Sequence, residues 1–460
     1  MGVGIMSLLF RHPIVRRGTA VLLCAVLGLL VAPGVATGAS VIFGMPSYES
    51  TFGKSIVFTQ PYSGSGIKGA DILIQLPGDL GPSLYTLESP GSSSLTYSLD
   101  TSSGGLSPFQ PLTAHFQVVF ADGTTQAGPD IHVTYADDRY TWKSKAGKLV
   151  IMHWIQGTDA FASQLLAYGE QGFPKSAAFL GIEETRPVDF YIYPSQSAFQ
   201  AGLSVAETIG GVTQSSYRTC FALVAPGDLE YGSDVVPHEL THIVFSDITD
   251  NPYHSPPRWL NEGLARYMAV GYGSYDRGLV SGAAKGDSLV PLAALAGFFS
   301  QAAERVYLSY AESVSAVDFM IRKYGKSALQ KLLKTYGQGA TDDEAFTDAF
   351  GIDTAAFNKA WLADNGVSAP IQYGPQPAPS GPIPPGWSSG TMPPVEPTAS
   401  AAPASTPPGG QGSNPPNDTD STALVLAGFI AVGGLILLGA GTLLFLQSQR
   451  EQTPTGGPPS

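Results

Sequence analysis

The segment His238-Glu-Leu-Thr-His242 constrains this chain more than any other part of its sequence. Two histidines four residues apart leave the same face of a helix, so both imidazoles can bind a single metal ion. Glu239 follows the first histidine, where a carboxylate can accept a proton from a water molecule that a zinc ion activates. The segment therefore predicts a helix that carries a zinc site, with Glu239 as the general base.

A second motif, Trp259-Leu-Asn-Glu-Gly-Leu-Ala265, follows the first. Pro257 is expected to begin a helix here, and Leu260 and Leu264 recur at helical spacing. Glu262 can then face the two histidines and serve as a third ligand. Two histidines, one glutamate and an open fourth position are typical of a catalytic zinc ion rather than a structural one.

Together the two motifs resemble those of the gluzincin metallopeptidases, the group that includes thermolysin and the aminopeptidase N-type enzymes. The resemblance covers residues 146–366 and is strongest with the peptidase MA-like domains of bacteria, which are often anchored in membranes. It implies that His238, His242 and Glu262 bind Zn²⁺ and that Glu239 is the general base. It also implies that the substrate is a peptide or a protein.

The chain departs from the family pattern at two places. Aminopeptidase N-type enzymes carry an upstream Gly-x-Met-Glu-Asn motif whose glutamate holds the free amine of the substrate. The corresponding segment here, Gly210-Gly-Val-Thr-Gln-Ser-Ser-Tyr217, contains no acidic residue, so we expect cleavage inside a peptide or near its carboxyl end. Thermolysin-like enzymes place an aspartate four residues after the ligand glutamate, where this chain has Arg266, so the residue that supports the ligands is left open.

Peptide hydrolysis also requires a donor that stabilises the oxyanion formed when water attacks the carbonyl. Peptidase MA-like domains show a Tyr-Ala-x-Ser helix after the metal site, and Tyr310 occupies the corresponding position here. Tyr310 is therefore the candidate donor, with Tyr307 as its substitute. The alternative is that both tyrosines belong to the core and have hydroxyls paired with other groups.

The chain divides into regions of different composition. Residues 40–140 contain short runs with two-residue alternation between turn signals, which predict an all-β, immunoglobulin-like sandwich. Residues 146–366 predict an α+β metallopeptidase domain with a helical C-terminal half, in which Thr341 and Asp353 cap two helices. The strand expected over residues 217–224 is predicted to border the cleft, where an exposed edge could pair with an extended peptide.

Both ends of the chain carry targeting signals. Residues 1–39 combine arginines, an apolar stretch and small residues, which indicates a secretory signal peptide. Residues 367–422 are rich in proline, serine and glycine and are expected to form a disordered linker. Residues 423–446 are uncharged and long enough to cross a bilayer as one helix, followed by a cytoplasmic tail at 447–460. The sequence thus predicts a single-pass protein of the cell membrane whose two folded domains are extracytoplasmic.

Composition narrows the function further. Only 13% of the residues are charged and the pI is about 4.9, which makes nucleic acid an unsuitable partner. Removal of the signal peptide leaves Cys220 as the only cysteine, so no intramolecular disulfide is expected. Besides a membrane-anchored zinc peptidase, two alternatives stay open. One is a surface adhesion or binding protein with a weakly active or inactive peptidase-like domain, and the other is a zinc hydrolase of a non-peptide amide or ester. The oligomeric state is also open.

Overall fold

The computed structural model describes residues 40–88, 91–205, 210–300 and 302–367. The predicted signal peptide, the membrane-spanning segment, the tail and all of the linker except its first residue lie outside the described residues. Within the described ranges, no helix combines the length and the apolar character needed to cross a bilayer.

Two antiparallel sheets form the N-terminal region. One has the order β1-β3-β2 with β6 also paired to β3, and the other has the order β5-β4-β7-β8 with β9 also paired to β7. The strands are β1 (Val41–Phe43), β2 (Ser47–Thr51), β3 (Ser55–Gly64), β4 (Ile67–Gln75), β5 (Ser83–Thr86), β6 (Ser94–Asp100), β7 (Gln110–Phe120), β8 (Thr125–Ala127) and β9 (Ile131–Tyr135).

The two sheets share one core, and alternation along the strands explains why. Phe116 and Val118 on β7 and Val133 on β9 are buried, as are Ile56 and Phe58 on β3 of the opposite sheet. Successive side chains of a strand point to opposite faces, so each sheet contributes one apolar face to this core. The region is therefore built from strands, as the alternation predicts, while its immunoglobulin-like class stays a prediction.

A mixed sheet follows, with the order β10-β11-β12-β14-β13. Its strands are β10 (Lys143–Ala146), β11 (Val150–Trp154), β12 (Val188–Tyr193), β13 (Gly211–Gln214) and β14 (Thr219–Leu223), and two helices, α1 (Asp159–Leu180) and α2 (Gln196–Leu203), connect them. Strands β11, β12 and β14 run parallel, whereas β13 runs antiparallel to β14.

The sheet corrects one sequence-based expectation. The strand expected over residues 217–224 is β14, which is interior because it pairs with β12 on one side and β13 on the other. Strand β13 forms the edge instead. A 3₁₀ turn at Ser215–Tyr217 ends at Arg218, whose φ of 54° is left-handed and lets the chain reverse. A non-glycine residue rarely adopts this conformation, so the reversal left no clear signal in the sequence.

The remaining chain is helical, as predicted for this half of the domain. Its helices are α3 (Leu229–Thr249), α4 (Arg258–Ala269), α5 (Ser274–Lys285), α6 (Ala303–Tyr324), α7 (Lys326–Gly337), α8 (Asp342–Phe350) and α9 (Thr354–Asp364). Thr341 caps α8 through a capping box with Glu344, and Asp353 caps α9, so both predicted caps are confirmed.

Helix α4 lies very close to α6, which fixes its position in the domain. Gly263 makes this approach possible, because a Cβ atom there would lie 2.7 Å from the carbonyl carbon of Ser313. Leu260 and Leu264 pack into the same core as Leu240 and Ile243 of α3. The residue before Gly263 is Glu262, so the close packing of α4 also determines where this carboxylate lies.

Candidate metal centre

Helices α3 and α4 bring the three predicted ligands together. His238 and His242 lie one turn apart on α3, and their ring centroids are 4.8 Å from each other. The Oε2 atom of Glu262 lies 3.5 Å from Nε2 of His238 and 3.7 Å from Nε2 of His242. All three side chains are at most 4% exposed. Two imidazole nitrogens and one carboxylate oxygen therefore lie close together in a site that is shielded from solvent.

These converging atoms lack hydrogen-bond partners within the described residues. Nε2 of both histidines, Oε2 of Glu262 and Oε1 of Glu239 are all buried and unpaired. Leaving one buried polar atom unpaired costs about 1–3 kcal/mol, so several together at one point are unusual unless a cation binds them. Two neutral imidazoles and one carboxylate are a donor set that suits Zn²⁺. The residues present thus fit the metal that the motif implies.

Asn261 orients the imidazole of His242 through a hydrogen bond to Nδ1. Nδ1 of His242 lies 2.8 Å from Oδ1 of Asn261, an oxygen that can only accept a hydrogen bond. Nδ1 therefore carries the proton, and Nε2 is left with the lone pair that a metal needs. Arg266, which takes the place of the aspartate in thermolysin-like enzymes, instead forms a buried ion pair with Asp276 on α5 at 2.8 Å.

The protonation states of two proposed ligands suit metal binding. Burial lowers the pKa of His238 to about 4, so its imidazole is neutral at physiological pH. Burial alone would raise the pKa of Glu262, but the nearby His238, His242 and Arg258 favour its charged form and outweigh burial, so the pKa is lowered. A neutral imidazole and an ionised carboxylate are the forms that bind a metal.

Glu239 is a residue of α3, and its side chain lies against the edge strand β13. Its Oε2 atom accepts a hydrogen bond of 2.7 Å from the Thr213 hydroxyl, while Oε1 has no partner. Gly211, the first residue of β13, has no side chain to occupy the space of this carboxylate. Burial raises the pKa of Glu239, and the hydrogen bond from Thr213 opposes that rise. A carboxylate that holds protons more tightly than usual suits transfer of a proton to and from a substrate.

Tyr310 is connected to Glu262, the third predicted ligand, through Arg258. Tyr310 is 3% exposed, its ring packs edge to face against Phe299, and its hydroxyl is hydrogen-bonded to the guanidinium of Arg258. That guanidinium contacts Oε1 of Glu262 at 3.2 Å. Tyr307, one turn earlier on α6, is half-buried. The choice between Tyr310 and Tyr307 as oxyanion donor stays a prediction.

Sequence reasoning missed several residues of this site. Thr213 hydrogen-bonds to the predicted general base Glu239, and Asn261 to the predicted ligand His242. Arg258 contacts the predicted ligand Glu262. Tyr231 lies two turns before His238 on α3, and its pKa is raised by burial and then by the charge of Glu239. Asn261 lies within the second motif and Arg258 directly precedes it, and this position was the only indication in the sequence that they belong to the site. Nothing in the sequence indicated that Thr213 and Tyr231 belong to the site.

Comparison with known protein families agrees with this site. Residues 169–365 match the model of the Peptidase MA superfamily. No curated protein matches the chain. An aminopeptidase N family protein from Idiomarina loihiensis is similar in structure over 69% of this chain and 76% of its own, with 12% identity and a TM-score of 0.40. An M1 zinc metallopeptidase from Deinococcus radiodurans matches 71% of this chain and 94% of its own, with 13% identity and a TM-score of 0.35.

A polysaccharide deacetylase from Bacillus cereus matches only 34% of this chain, at 9% identity and a TM-score of 0.19, and this chain spans 53% of its length. With TM-scores of 0.40 or less, these structural likenesses do not decide the fold or the activity. The segment that matches the family model, residues 169–365, contains both metal motifs, strand β13 and helix α6. The resemblance predicted from the two motifs is confirmed: residues 169–365 match the Peptidase MA superfamily, and within them His238, Glu239 and His242 are close enough together to hold a metal ion.

Proposed function

We propose that this protein is a zinc metallopeptidase that hydrolyses peptide bonds, with His238, His242 and Glu262 as ligands and Glu239 as general base. The observation that carries this proposal is the set of buried, unpaired nitrogen and oxygen atoms that converge between α3 and α4. When bound there, Zn²⁺ acts as a Lewis acid that polarises the substrate carbonyl and makes water a stronger nucleophile.

The protein side chains then handle the protons. The Thr213 hydroxyl holds Oε2 of Glu239, which leaves Oε1 to take a proton from the attacking water. Glu239 returns this proton to the leaving amine when the carbon–nitrogen bond breaks. The Tyr310 hydroxyl donates a hydrogen bond to the oxyanion, and Tyr307 is the substitute for this role.

Strand β13 supports a peptide rather than another substrate. It is the edge of its sheet and lies directly against Glu239, so an extended peptide can pair with its backbone next to the base. Its four residues carry no charge that could hold a substrate amine. Near its end, the Gln214 side chain donates to the Ser107 hydroxyl of the β-sheet region at 3.0 Å, which ties the edge strand to that region.

The proposed setting of the enzyme rests on the sequence. Residues 1–39 would direct export, residues 40–140 would form an immunoglobulin-like sandwich, and residues 146–366 would form the catalytic domain. The linker at 367–422 would hold both domains away from a membrane helix at 423–446, with residues 447–460 in the cytoplasm. The proposed location is therefore the outer side of the cell membrane.

A peptide-library digest by the detergent-solubilised full chain, with and without a zinc chelator, tests the proposal. We expect cleavage that the chelator and Glu239→Gln both abolish, at internal or carboxyl-side bonds. Bound zinc without any cleavage would favour the adhesion or binding alternative, and cleavage confined to ester or non-peptide amide substrates would favour the other hydrolase. Rapid release of amino acids from aminoacyl substrates would contradict the proposed position of cleavage.

The intact base is the observation that speaks against a binding protein without turnover. Glu239 is fully buried, and the Thr213 hydroxyl donates a hydrogen bond of 2.7 Å to its Oε2 atom. Burying a carboxyl group is costly, and within the described residues no hydrogen bond to Oε1 of Glu239 offsets that cost. Retaining this group is expected where it performs a chemical step.

A further inference from the structure

Arg258 occupies a place in the site that no family motif assigns. It is the first residue of α4, and its N–H donates a hydrogen bond of 2.8 Å to the carbonyl of Ala296. Its side chain runs along the first turn of the helix, so that Nη2 lies 3.2 Å from Oε1 of Glu262. The guanidinium carbon lies 5.0 Å from the centre of the Phe299 ring, within the range of a cation–π contact.

The same guanidinium holds Tyr310. A guanidinium has only hydrogen-bond donors, so the phenolic oxygen of Tyr310 must accept the bond that joins them. The phenolic hydrogen is consequently directed to a group other than Arg258. Phe299 packs edge to face on Tyr310 with centroids 5.2 Å apart, so one aromatic ring contacts both partners.

The contact with Glu262 distinguishes its two oxygens. Arg258 engages Oε1, whereas Oε2 faces the histidines and has no hydrogen-bond partner within the described residues. A carboxylate left without this contact could rotate and present both oxygens to a metal ion. Residues that contact the ligands of a metal on the side away from the ion determine how those ligands are oriented.

We propose that Arg258 is a positioning residue that turns Glu262 so that a single oxygen meets the metal, and that orients the Tyr310 hydroxyl. The part that concerns Tyr310 rests on the proposed peptidase function, whereas the part that concerns Glu262 does not. The planar guanidinium suits this task because its fork of donors reaches two oxygens at once, which a lysine ammonium at the end of a flexible chain does not.

The test compares Arg258→Met with Arg258→Lys and with the parent, each as the full chain. Arg277→Met is the matched control, since Arg277 also stacks on an aromatic ring, that of Tyr272, but lies exposed on α5. The first measurement is the visible spectrum of the Co²⁺-substituted protein, which reports ligand number and geometry. The second is kcat and KM of the zinc enzyme on a cleaved peptide.

We expect Arg258→Met to change the cobalt spectrum and to lower kcat by about 10–100-fold, with little change in KM. Arg258→Lys should show both effects to a smaller extent, and it decides the matter should the methionine variant not fold. The control should match the parent in both measurements. A parental cobalt spectrum in the Arg258 variants would overturn the proposal whatever their activity. An inactive parent whose cobalt spectrum still depends on Arg258 would refute the peptidase function and leave the positioning of Glu262 standing.

Discussion

Replacing Gly211 with alanine tests whether the position of Glu239, rather than its mere presence, carries the activity. An alanine Cβ at this place on β13 would lie 2.6 Å from the carboxyl carbon of Glu239, and closer still to Oε1. An ordinary contact between two carbon atoms needs about 3.5 Å, so the carboxylate must move by about 1 Å. The carboxylate is the far end of a flexible side chain, and it will shift more easily than the backbone of the sheet.

A displacement of about 1 Å can cost on the order of a hundredfold in rate when the displaced group must align with reacting atoms. We therefore expect Gly211→Ala to lower kcat about a hundredfold while keeping one zinc ion per chain and a melting temperature close to that of the parent. Gly69→Ala is the control, because Gly69 also lies in a strand but a Cβ there meets nothing within 4 Å. A parental kcat for Gly211→Ala would refute the placement of Glu239 against β13.

Three further predictions concern the ligands, the oxyanion donor and the pH dependence of stability. Alanine at any of the three proposed ligands should remove zinc, whereas Glu239→Gln should retain it; full zinc by elemental analysis in both histidine variants would contradict the ligand set. Tyr310→Phe should lower kcat by on the order of a hundredfold with KM little changed, and a normal rate there beside a slow Tyr307→Phe would transfer the role to Tyr307. Burial raises the pKa of Glu312 from 4.5 to about 8, so the stabilisation from its bound proton is complete below pH 4.5 and is lost as the pH rises through about 8. Thermal melts from pH 5 to 8 should show this decline in the parent and a flatter profile in Glu312→Gln, and equal slopes would contradict the assignment.

The helix of the first motif could be predicted because its information is local. His238 and His242 share a helix face through their spacing alone, and helical periodicity marks α4 in the same way. The spacing says nothing about how α3 and α4 cross. That crossing depends on Gly263 approaching the backbone of α6, a contact between residues far apart in the chain. Helical spacing allowed Glu262 to face the histidines and the family resemblance implied that it does, but neither indicated the packing that brings them together.

The support around the site could not be predicted for the same reason. Asn261 and Arg258 are polar residues of α4, and helical spacing alone leaves open which polar residues face solvent and which face a neighbour. The edge of the sheet was assigned to the wrong strand because the chain reverses at Arg218, a residue type that does not signal a turn. Local patterns thus identified the elements, and long-range packing decided which side chains meet.

Thr213 explains how this site differs from that of an aminopeptidase. It is the fourth residue of Gly210-Gly-Val-Thr-Gln214, the position at which the Gly-x-Met-Glu-Asn motif has its amine-binding glutamate. Here the side chain is buried and its hydroxyl bonds to Glu239, so the edge strand supports the base instead of presenting a negative charge to a substrate amine. A free amino terminus would find no counter-charge on β13 and would lose its hydration without compensation. Under the proposed function, the uncharged backbone of a longer peptide would not meet this cost on the same strand, and we therefore expect cleavage away from the amino terminus.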